Sequence, residues 1–97
     1  MIFSSLKRYI YKKEVIPVTI GEAVRHRIME LCREYNISFN KLSNISGVTQ
    51  STVNNIVSGR NNSTTVSTVK KLCDGLGITI EDFFRSDLFV GLEQEIK

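Results

Sequence analysis

From Ile20 onward the apolar residues recur at helical spacing. Ile20, Val24, Ile28, Leu31 and Tyr35 stand four, four, three and four apart, so one face of this segment is apolar while Arg25, Arg27 and Arg33 project elsewhere. Thr19-Ile-Gly-Glu22 in front of it has capping-box spacing, in which each side chain satisfies the other residue's backbone N–H. Asn36 closes the segment, because asparagine tolerates the left-handed backbone that ends helices. Leu42 and Ile45 mark a second, shorter stripe behind Ser38, and Val53 and Ile56 a third behind Thr49. Val66, Val69, Leu72, Cys73 and Leu76 mark a fourth behind Thr65, ended by Gly77, with Gly75 inside it costing up to about 1 kcal/mol against alanine. Thr79-Ile-Glu-Asp82 opens a fifth, whose apolar residues are Ile80, Phe83 and Phe84. The pattern predicts an all-α, compact five-helix bundle with helices near 20–35, 39–46, 50–58, 65–76 and 80–85, boundaries good to about ±2 to 4 residues. Its predicted core holds Val24, Ile28, Leu31, Leu42, Val53, Ile56, Val69, Leu72, Leu76 and Phe83.

The two ends depart from this pattern. In residues 1–17 two periods compete: Leu6, Tyr9 and Ile10 would make a helical stripe, whereas Tyr9-Ile-Tyr and Val15-Ile-Pro-Val favour a strand or extended arm, with Pro17 unable to donate to a ladder. Such an arm would lie on phosphates or in a minor groove, pair with a second subunit, or be a loosely ordered terminus. At the other end Leu88, Phe89, Val90 and Leu92 stand among acidic residues and exceed what five helices need, which suits a dimer contact or a simple extension. The chain thus divides into an N-terminal arm or extension (1–17), one domain (18–85) and an acidic, apolar tail (86–97).

Ninety-seven residues make one small domain that buries roughly 60 to 70 per cent of the surface of its unfolded chain. The net charge of +3 is uneven, with +3 in the first seventeen residues, +3 in the middle and −3 in the last seventeen. A basic head and middle suit nucleic-acid binding without demanding it. No apolar run approaches the ~18 residues of a membrane span, and no secretory leader is legible, so a cytoplasmic protein is expected. Cys32 and Cys73 are not in a C-x-x-C pair and read as buried free thiols, while the lone His26 has no partners for a metal site. There is no second histidine, phosphate-cradling glycine loop or carboxylate pair in an apolar setting, which argues against an enzyme, and no cofactor is called for.

The candidate chemistry lies between Ser38 and Gly59. Gly47 stops the second helix, Val48 packs back as a plug, and Thr49 restarts the chain as the third. Two short helices about a tight glycine turn are the pattern of the DNA-reading helix-turn-helix, whose second helix lies in the major groove. Opposite Val53 and Ile56 that helix carries Gln50, Ser51, Asn54 and Asn55, a polar and nearly uncharged face. Amide side chains hold a donor beside an acceptor, which matches the N6 and N7 edge of adenine. The same face would also serve as the solvated side of a helical hairpin. After Gly59 the run Arg60-Asn-Asn-Ser-Thr-Thr has the composition of a surface loop, either solvated or laid on phosphates.

Leu42, Gly47-Val48-Thr49, Val53, Ile56 and Ser58-Gly59-Arg60, then Val69, Leu72, Leu76-Gly77-Ile78 and Glu81-Asp82-Phe83-Phe84, make an ordered set at compatible spacings. That set resembles the phage-repressor and Cro type of helix-turn-helix domain, lambda-repressor-like in fold, over roughly Thr19 to Phe84. The chain departs from the family pattern at Phe39, where a polar residue that touches a phosphate is usual, at Ser43, where a small alanine is usual, and at Val57, where glutamate is common. It also lacks the proline before the fourth helix. The resemblance implies a sequence-specific double-stranded DNA-binding regulator, repressor-like, that occupies an operator and works as a homodimer because one short helix reads few base pairs. Gln50, Ser51 and Asn55 are the expected base readers. Ser38, Thr49, Thr52, Asn54, Arg60, Asn61 and Asn62 are the expected phosphate contacts. The alternative is a protein-interaction module, antitoxin-like or adaptor-like, that uses its apolar termini on a protein partner.

Overall fold

A computed structural model describes residues 18–96, and the N-terminal arm proposed for 1–17 lies outside them. Among the described residues five helices follow one another, α1 (Ile20–Glu34), α2 (Phe39–Ser46), α3 (Gln50–Val57), α4 (Val66–Leu76) and α5 (Ile80–Phe84), with a 3-10 turn at Asp87–Phe89. There is no strand among the described residues. Each helix lies within one residue of the expected bounds, because each end is set by local chemistry. Glu22 N–H donates to Thr19 Oγ1 at 3.1 Å and Thr19 N–H donates to Glu22 Oε1 at 3.0 Å, closing the first capping box. Ser38, Thr49 and Thr65 accept the N–H of Lys41, Thr52 and Thr68 in the same way. Gly47 ends α2 at φ +73°, and Asn36, past α1, stands at φ +55°.

The second box, Thr79 with Asp82, opens α5. The Thr79 backbone N–H, then its hydroxyl and Arg85, hold the Asp82 carboxyl below its ordinary range.

The core lies where α1, α2, α3 and α4 meet, with α2 packed most extensively on α4. Val24, Ile28, Leu31, Leu42, Val53, Ile56, Val69, Leu72 and Phe83 are all buried there, with Ala23, Cys32, Val48 and Cys73. Of the expected core only Leu76 is half-buried. Both thiols are free, and burial pushes their pKa up. Phe89 joins the core from the 3-10 turn, its ring edge-on to Phe84 with centroids 4.8 Å apart. Glu93 N–H, further on, donates to Val18 O at 3.0 Å, so the tail lies beside the start of α1.

Four apolar residues of the predicted stripes are exposed instead: Tyr35 by 44%, Ile45 by 38%, Val66 by 78% and Phe84 by 38%. They stand in or beside the terminal turn of a helix, where neighbouring elements cover a side chain on one side at most.

Arg27 corrects the sequence reading in the other direction. It is buried, since it lies three residues after Val24 and four before Leu31 and so faces inward with them. Its Nε donates to Phe83 O at 2.6 Å and its Nη2 to Asp82 O at 2.8 Å, closing the C-terminus of α5, while Nη1 pairs with Glu30 at 2.8 Å.

Candidate nucleic-acid interface

The turn between α2 and α3 is held by serine hydroxyls. Ser43, buried in the family's alanine position, donates Oγ–H to Val48 O at 2.6 Å, which satisfies its polar atom inside the core. Ser46 donates to Leu42 O at 2.6 Å. With Val48 buried and Thr49 capping α3, the entry angle of the second helix is fixed from both sides.

Val53 and Ile56 anchor α3 inward at 1% exposure each, which turns Gln50, Ser51 and Asn54 fully outward and leaves Asn55 half-exposed at the edge. The Gln50 carboxamide is not free-swinging. Its Nε2 donates to Asn40 Oδ1 on the first turn of α2, joining the N-termini of both motif helices. The N-cap oxygens of Ser38 and Thr49 are each engaged by a backbone N–H of their own helix. Thr49 Oγ1 also donates to Thr52 Oγ1 at 2.9 Å. Phe39, where the family places its polar residue, packs against the core.

The far end of α3 is tied to the loop that follows. Asn61 N–H donates to Asn55 O at 2.9 Å, and Asn61 Oδ1 accepts from Ser63 N–H at 2.8 Å. The same return brings Arg60 Nε to 3.1 Å from Asn55 Oδ1. Gln50, Ser51, Asn54, Asn55 and Arg60 therefore form one continuous polar surface. Ser38 and Asn40 border it on one side and Asn61 on the other, while Asn62 lies against Gly21 of α1.

Two residues that sequence reasoning passed over border this surface. Asn40 buttresses Gln50, and its only sequence signal is a place in the first turn after the Ser38 cap. Arg25 of α1 runs beneath Gly59, where its Nε is buried without a hydrogen-bond partner. Chemically the surface offers neutral donors and acceptors flanked by cations, which suits hydrogen bonding to base edges and phosphates. Among the described residues no group of three His, Cys, Asp or Glu is placed to hold a metal, and no helix is long and apolar enough to cross a membrane.

Fold and surface together define a helix-turn-helix protein. A family model for the Cro/C1-type HTH DNA-binding domain matches residues 27–86, well over half the chain, and the chain belongs to that family. It is a DNA-binding regulator by that membership. Comparison with curated proteins and with solved structures found no match.

Proposed function

We propose that the protein regulates transcription by occupying an operator, with α3 in the major groove of double-stranded DNA. The observation that carries this reading is the uncharged polar face of α3, exposed and braced at both ends by hydrogen bonds to neighbouring segments. Gln50, Ser51 and Asn55 contact base edges. Thr49, Thr52, Asn54, Arg60, Asn61 and Asn62 lie along the phosphates, with the free N–H groups behind Ser38 completing the grip at the start of α2. Preformed hydrogen bonds support the assignment of Gln50, because a side chain already held loses little freedom on meeting a base.

Selection of bound sites from random duplex DNA is the direct experiment. Gln50→Ala is expected to weaken the cognate site by roughly 1 to 3 kcal/mol and to relax the preference at one or two base positions, leaving non-specific binding almost unchanged. If Gln50→Ala and Ser51→Ala stay folded and select the same sequence as the parent protein, α3 is not the reader. The protein-interaction reading then takes its place.

A further inference from the structure

We propose that Arg60 positions Asn55, holding its amide so that the asparagine reads guanine; this rests on α3 being the DNA reader. An asparagine head has two orientations, related by a half-turn, that exchange oxygen and nitrogen. A guanidinium only donates hydrogen bonds, so the atom that faces it must be the amide oxygen. Arg60 Nε stands 3.1 Å from Asn55 Oδ1. The backbone keeps the pair together, since Asn61 N–H donates to Asn55 O at 2.9 Å and brings the loop back over the last turn of α3.

The consequence is a change in what Asn55 presents. Unrestrained, an asparagine offers a donor beside an acceptor, the complement of adenine N7 and N6. With Oδ1 taken by a charged donor, the outward part of the head is the Nδ2 amino group. Two N–H donors suit guanine, whose N7 and O6 are adjacent acceptors in the major groove, and disfavour adenine, whose N6 is itself a donor. Arg60 acts through Asn55, and its Nη groups remain for phosphate.

The test is selection from random duplexes by the full chain and four variants, Arg60→Ala, Arg60→Lys, Asn55→Ala and the double alanine variant, each checked for unchanged helical circular dichroism. The parent protein should enrich guanine at one position. Arg60→Ala should lower the guanine-over-adenine ratio there by about 5- to 150-fold and leave the other positions alone, while Arg60→Lys, still a pure donor, should retain guanine. Asn55→Ala should lose that preference, and adding Arg60→Ala to it should change the base pattern no further. If Arg60→Ala keeps guanine and weakens every sequence by the same factor, or if the parent selects adenine there, the pairing does not set specificity. A parent protein that enriches no duplex overturns the DNA-reading assignment itself, an outcome distinct from both.

Discussion

Arg27 shows how one side chain stabilises a helix too short to stand alone. Five residues give α5 little internal hydrogen bonding; of its last carbonyls, Asp82 O and Phe84 O accept from the N–H groups of Arg85 and Ser86, while Phe83 O accepts from a side chain. The buried guanidinium supplies donors to two of them and a positive charge at the negative end of the helix. Glu30 balances that charge at 2.8 Å. Arg27→Ala should therefore destabilise the protein by about 2 to 4 kcal/mol, because it removes the donor to Phe83 O, one of two donors to Asp82 O, and the charge partner of Glu30. Arg27→Lys should recover only part of this, since an ammonium lacks the fork that reaches both carbonyls. Urea unfolding measures both; an alanine variant within about 0.5 kcal/mol of the parent would show that water serves these groups equally well.

The packing of α2 on α4 turns on Gly75. A Cβ there would lie 2.8 Å from Ile45 O and from Ser46 Cα, both backbone atoms at the end of α2. Alanine's better helix propensity, up to about 1 kcal/mol, is outweighed by the strain of pushing two helices apart, about 1 to 3 kcal/mol. Gly75→Ala should accordingly lower the melting temperature, and a rise would mean that the helices separate without cost. From sequence only the propensity cost of this glycine was legible, because its cause lies thirty residues away in the chain. The same division holds throughout. Caps such as Thr19 with Glu22, or Ser38 with Lys41, act over three residues, so the helix bounds could be read in advance. Burial of Arg27 was in principle legible too, from its spacing to Val24 and Leu31. By contrast, the Gln50 bond to Asn40 depends on the angle between α2 and α3, and the Arg60 bond to Asn55 on how the loop returns. No local pattern encodes either. The exposure of Val66 and Ile45 likewise follows from which neighbours a helix end has, and apolar character alone does not report that.

At the scale of the whole molecule, the length of α3 limits what one copy can recognise. Eight residues span about 12 Å, enough for a few base pairs, so selective binding calls for a second reader. We expect a two-fold dimer that sets its two α3 helices about 34 to 36 Å apart, matching successive major grooves on one face of B-DNA. The contact surface cannot be the α3 face, which is built of Gln50, Ser51, Asn54 and Asn55. Apolar surface lies elsewhere: Val90 is 51% exposed and Ile96 85%, beyond the aromatic cluster of Phe83, Phe84 and Phe89. Val90 stands outside that cluster, so Val90→Glu should leave the fold intact while charging the proposed contact. Sedimentation at micromolar concentration should then show a dimer for the parent chain and a monomer for the variant. On DNA the variant should bind a half-site with a log–log salt slope about half as steep, because half the phosphates are neutralised. A parent chain that stays monomeric on DNA and protects a single unrepeated half-site would refute the dimer, and the burden of selectivity would fall on a second element of the same copy.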